Sequence, residues 1–220
     1  MDYNELANAI RAYAENSFPT TLAAVGLTST EQVNTFIQQA EQRIYNTVQI
    51  LDLRKNVTGA CTAGNKYLSV PSDWLSNFSL AVVDPVDGSY DFLLNKDVNF
   101  IREAFRDPTD NGKPTHYAFF DKDSYLLGPT PDLSYEFELH YFYYPQSIVT
   151  AGTSWLGTNF SSALLHGALY EAAVFMKSEE DTLKQYQQRY DDAMVLLKQL
   201  GEGKNREDSY RSGQIRVKQR

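Results

Sequence analysis

Cysteine, histidine and tryptophan are scarce in this chain of 220 residues, which holds one, three and two of them respectively. The lone Cys61 excludes an internal disulfide framework and any cysteine-rich metal site, and it fits a reducing cytosol. His116, His140 and His166 are scattered over two predicted strands and a helix, and none stands in a metal-ligand spacing such as H-x-x-x-H. No apolar run approaches the roughly 18 residues that a spanning helix needs, so no membrane partner is expected. The opening MDYNELANAI carries acids where a signal peptide has a basic and then an apolar region, so secretion by that route is not expected either. GEGKNR lacks the Gly-Lys-Ser/Thr ending of a phosphate-binding loop, and GTSWLG lacks the second glycine of a nucleophile elbow. The close carboxylates of DPVDGSYD and DKDS lack the twelve-residue calcium-loop spacing, and hairpin turns account for them. No catalytic residue, metal or cofactor is therefore expected. Paired acids abound in a chain with 28 acidic residues, so they do not single out the least favoured class, a carboxylate-based polymer hydrolase.

Positive charge is scarce too, except at one end. Residues 204–220 hold six basic and two acidic groups, whereas the net charge of the whole chain is -8, which leaves -12 for the rest. An acidic body repels phosphate backbones, so stable wrapping of nucleic acid by the folded part is not expected. The basic tail is the one candidate for an electrostatic arm.

What the sequence has in quantity is 42% hydrophobic and 13% aromatic residues, enough for a substantial core. Residues 1–53 read as two helices. Leu6, Ala9, Ile10 and Tyr13 recur at helical spacing in the first. The second follows TSTEQ, where Thr28 and Glu31, or Ser29 and Gln32, stand in capping-box relation, and its stripe is Val33, Phe36, Ile37, Ala40, Ile44 and Val48. Residues 54–150 change to a period of two, with turns expected at Ala63-Gly64-Asn65, Asp84 to Gly88 and Asp121-Lys122-Asp123, and one short helix on which Val98, Ile101 and Phe105 share a face. Residues 151–203 return to helix, with one stripe from Phe160 to Met176 through Leu164 and Leu169. A second stripe takes in Leu183, Tyr186, Tyr190, Ala193, Leu197 and Leu200, ended by Gly201 and Gly203. Residues 204–220 form a basic flexible tail. Neither terminal helix set can easily bury its stripe alone, so the expected fold is α+β: a bundle of N- and C-terminal helices with an inserted antiparallel β-rich module.

SYEFELHYFYYP, residues 134–145, crowds six aromatic rings into one strand. Alternation puts Tyr135, Phe137, Leu139, Tyr141 and Tyr143 on one face, and Glu136, Glu138, His140, Phe142 and Tyr144 on the other. The rings read as core and seam rather than as a ligand platform.

The phrases LRKNVTGACTAGNKYLSVPSDWLS, FLLNKDVNFIREAF, LGPTPDLSYEFELHYFYYP, TSWLGTNFSSALLHGALYEAAVFMK and YDDAMVLLKQLGEGKN resemble the head-to-tail adaptor proteins of tailed bacteriophages, similar to the tail tubular protein of short-tailed phages. The resemblance covers about residues 30–212 and rests on long phrases, not on a catalytic signature. It implies a structural virion protein, not an enzyme, assembled in the host cytoplasm and placed at the neck. Its partners would be the portal protein, a downstream tail or nozzle protein and copies of itself in a ring of about twelve, with DNA passing through the lumen without specific binding. Another neck or tail-completion protein is the alternative. Fifteen tyrosines give material for subunit faces, and the acidic body suits a channel that must not hold DNA. In the tail, Arg206, Arg211 and Arg216 with Tyr210, Ile215 and Val217 form the expected portal-docking set.

Overall fold

The computed structural model describes residues 1–19, 26–48, 50–107 and 109–204. In chain order the elements are α1 (Tyr3–Tyr13), α2 (Ser29–Thr47), a 3-10 turn (Leu51–Leu53), β1 (Arg54–Ala60), β2 (Tyr67–Ser69), β3 (Trp74–Val83), β4 (Tyr90–Phe92), β5 (Leu94–Asn95) and α3 (Val98–Ala104). They continue with β6 (His116–Asp121), β7 (Ser124–Gly128), β8 (Glu136–Tyr143), α4 (Ile148–Ala151), α5 (Trp155–Asn159), α6 (Ser161–Phe175) and α7 (Glu180–Lys204). The fold is α+β with helices at both ends, and it divides into two units: one from Met1–Leu51 and the described residues from Pro145 onward, the other Asp52–Tyr144.

The helical unit is built around α6, which packs against α2 and α7 and also touches α1 and α5. Ala163, Leu164, Leu165, Ala168, Leu169, Ala172 and Ala173 are all buried, so this helix is apolar nearly all round, as a central helix must be. Gly167 permits the closest approach: a Cβ there would stand 3.1 Å from both Ala40 Cβ on α2 and the Tyr190 ring on α7. Arg43 ties the same three helices, pairing with Glu171 and lying 5.4 Å from the Tyr170 ring centre and 5.9 Å from that of Tyr190. Thr28 and Glu31 form the capping box at the start of α2. Gln32 does not form one with Ser29; its buried amide donates instead to the carbonyls of Pro19 and Leu27, at 3.0 and 2.9 Å. Glu41, also buried on α2, accepts from the Ile148 amide at 2.9 Å and so anchors the start of α4. Burial pushes its carboxyl above the ordinary value, against the pull of that amide and the Ser147 hydroxyl.

Three details of the helix reading change. Tyr13 and Leu200 face outward, and Ala7 and Met194 take places in the core that the period had not assigned to them. Gly201 and Gly203 do not end α7, which runs to Lys204; one glycine costs a helix only about 1 kcal/mol against alanine, too little to stop a long hydrogen-bond ladder. The stretch before α6 carries two one-turn helices, α4 and α5, capped by the hydroxyls of Ser147 and Ser154.

The β unit is a pair of four-stranded sheets, in the orders β1-β8-β3-β4 and β2-β7-β6-β5. Pairing is antiparallel except between β5 and β6, which are parallel. Leu80, Val82, Phe137, Leu139 and Tyr141 from the first sheet share one core with Tyr117, Tyr125 and Leu127 from the second. β8 has the expected alternation: Phe137, Leu139 and Tyr141 are buried, and Glu136 is exposed. The turn at residues 84–88 joins β3 to β4, with Gly88 at the left-handed φ of +70°, and the turn at 121–123 joins β6 to β7. β1 and β2 do not pair with each other across Ala63-Gly64-Asn65: β1 joins β8, and β2 joins β7 in the other sheet. The intervening residues cross from one sheet to the other.

Candidate interaction surfaces

A knot of polar groups braces the sandwich core. Asn77 sits at a break in the register of β3 against β8. Its Oδ1 accepts from Trp74 Nε1 and from the Tyr125 hydroxyl, both at 2.5 Å, and its amide donates to the Tyr117 hydroxyl at 3.4 Å. The Trp74 ring stacks on Phe119 with centres 4.6 Å apart. Beside it, Asp73 accepts from the Tyr141 hydroxyl at 2.8 Å and from Lys55 at 2.5 Å. Burial and the bond to Asp73 push the Tyr141 hydroxyl up to about 12. These groups satisfy one another and present no reactive atom.

On the outer face of the first sheet, cross-strand register lines up Asn56 with His140, and Thr58 with Glu138, Ala81 and Phe92. Glu138 takes a hydrogen bond from Asn56 and lies 3.0 Å from His140 Nε2. Those two neighbours hold its carboxyl below the ordinary value, and Glu138 in turn pushes the Tyr90 hydroxyl up. Arg54 lies over Phe78, 3.9 Å from its ring centre, and 5.1 Å from that of Phe142. The face is thus a mixed aromatic and charged surface.

The two flanks of the sandwich differ. On the β4 side an apolar patch is open to solvent: Val86 at the turn is 92% exposed, Phe92 67%, Leu94 58% and Tyr90 54%. Lys113 bridges Asp84, at 2.7 Å, and Asp91 beside it, and both raise its affinity for the proton. On the β1 and β2 side lies a groove of about 410 Å³, floored by Leu80, Phe137 and Leu139 and walled by Val57, Leu68 and Val70. Among the described residues no charged one lines it. Val57 pairs with Leu139 and points to the core side, yet stays 41% exposed at this edge of the sheet. A Cβ added at Gly59, the next inward position, would meet nothing within 4 Å.

The remaining chemistry is sparse. Cys61 is buried at one end of the groove, where its sulfur accepts from the Tyr135 amide at 3.3 Å, and burial pushes its thiol up, away from nucleophilic character. The three histidines are far apart in use: His116 lies beside Phe100 and Phe105, His140 beside Glu138, and His166 in the helical unit. Among the described residues no group of three or more His, Cys, Asp or Glu side chains is placed to hold a metal ion, and no helix is long and apolar enough to cross a membrane. Arg206, Tyr210, Arg211, Ile215, Arg216 and Val217 lie outside the described residues. The groove and the β4 patch were missed in the sequence. The signals were there, in Gly59 at an inward strand position and in the run Tyr90, Phe92, Leu94, but neither means anything until the strand order is known.

The family model described as SU10 adaptor protein matches residues 1–218. No curated protein matches the chain.

Proposed function

Because the chain belongs to the SU10 adaptor protein family, we propose that it is a non-enzymatic structural subunit of the phage neck that repeats as a ring beneath the portal and lets DNA pass to the tail. The match over nearly the whole chain carries this reading, since it covers both the helical and the β unit. The surface chemistry supports it. A ring subunit needs two different faces that fit each other, and the flanks of the sandwich differ in shape and charge. The -12 charge outside the basic tail suits a lumen that does not retain phosphate backbones.

In this reading the tail docks on the portal protein. Arg206, Arg211 and Arg216 meet portal carboxylates, and Tyr210, Ile215 and Val217 supply the apolar contacts. The distal face meets the next tail or nozzle protein. Deleting residues 204–220 tests the docking assignment: the truncated chain keeps its circular dichroism spectrum and loses co-sedimentation with cognate portal rings. Undiminished co-sedimentation would remove the tail from the docking surface.

A further inference from the structure

We infer that the subunits join edge to edge through their sandwiches, the apolar patch at β4 of one copy seating in the β1–β2 groove of the next. The inference rests on the ring reading above and names the surface that makes it.

Strand order puts the two features on opposite flanks. β1 and β4 are the two edges of the first sheet, and β2 and β5 are the two edges of the second. The groove therefore opens at one end of both sheets; at the other, Tyr90 and Phe92 stand exposed on the outer face of edge strand β4, and Leu94 on edge strand β5. A patch on one flank that fits a hollow on the opposite flank is a heterologous contact, which propagates head to tail and closes into a ring when its rotation permits.

The chemistry of the two flanks matches. The described lining of the groove carries no charge, its floor is apolar, and Gly59 leaves a void where an inward side chain would stand. It therefore accepts rings or aliphatic groups and offers nothing to a charged ligand. Its wall strand β1 is an edge strand that no other described strand pairs with beyond β8, so its outer backbone groups suit pairing with an incoming strand. Charge agrees in sign: from residue 54 to 72 the charged residues are Arg54, Lys55 and Lys66, and from 80 to 94 they are Asp84, Asp87 and Asp91. Lys113 and Asp73 neutralise part of each set. Asp87 at the turn remains on one side; on the other, Lys66 stands between the groove residues Asn65 and Tyr67 and faces the neighbouring hollow lined by Ile101 and Phe105. A second copy is thus the occupant that brings both the apolar side chains and the complementary charge.

The test uses the full chain with p-benzoylphenylalanine in place of Phe92, irradiated after loading on cognate portal rings. Cross-links joining position 92 to residues 57–71 of another copy are expected. Gly59→Leu, which fills the hollow and removes a glycine from a strand, should keep the melting temperature at or above that of the parent. It should also abolish the cross-link and weaken copy-to-copy association by about thirtyfold, as loss of one buried aromatic anchor does. Cross-links to the portal, or to any other part of the chain, overturn the edge pairing and leave the adaptor reading standing. A parent chain that does not load on portal rings at all overturns both.

Discussion

Replacing Asn77 by alanine should cost the β unit about 2 to 3 kcal/mol, although no large apolar group is lost. The magnitude follows from what the side chain leaves behind. The Tyr125 hydroxyl, on a residue with no exposed surface, loses its acceptor, Asn77 Oδ1 at 2.5 Å. A buried donor without a partner costs about 1 to 3 kcal/mol. Trp74 Nε1 loses an acceptor at the same distance, but Trp74 is only partly buried and water can replace part of that bond. Tyr125→Phe should cost less, about 1 kcal/mol, because it removes the donor together with its need. The double variant should then fall short of the sum by about 1 to 2 kcal/mol, since the two side chains act as one unit. Urea unfolding read by Trp74 fluorescence in a Trp155→Phe background isolates the sandwich from the helical unit. A loss below 0.5 kcal/mol for Asn77→Ala, or strict additivity in the double variant, would refute the role given to this bond.

Two further outcomes follow from the helical unit. Leu169→Ala, at a position with no exposed surface, should cost about 2 to 5 kcal/mol in urea unfolding, whereas Val195→Ala on the open face of α7 should stay within about 0.5 kcal/mol; an unchanged midpoint for Leu169→Ala would contradict the central place of α6. Burial, and then the nearby Arg189, hold the His166 imidazole below its ordinary value of 6.5, so the fold favours the neutral ring. The unfolded chain takes up the proton first as pH drops, so stability should decline from about pH 6.5 toward the lower folded pKa and then level off. His166→Leu should flatten that decline; an identical pH profile in the variant would exclude the histidine as its source.

Periodicity carried the helices and the long strand because each has one buried face. The stripe Val33, Phe36, Ile37, Ala40 and Ile44 is buried as spaced, and Phe137, Leu139 and Tyr141 point inward from β8. The period failed at Tyr13 and Leu200, near the ends of their helices, where both side chains are exposed. Pairing partners were less legible than strands. β1 and β2 look like a hairpin because they are close in sequence, yet each finds a longer, more apolar partner elsewhere. The interaction surfaces were the least legible part. Exposure of Phe92 and the void at Gly59 depend on which strands end up at the edges, a property of the whole sheet that no local window contains.

The adaptor assignment is tested most directly by the mass of a cognate portal ring before and after addition of the purified full-length chain. The account predicts a single saturated complex, heavier by a fixed whole number of 25.0 kDa subunits, with no intermediate series at saturation. A portal ring whose mass does not change in the presence of excess chain would contradict it.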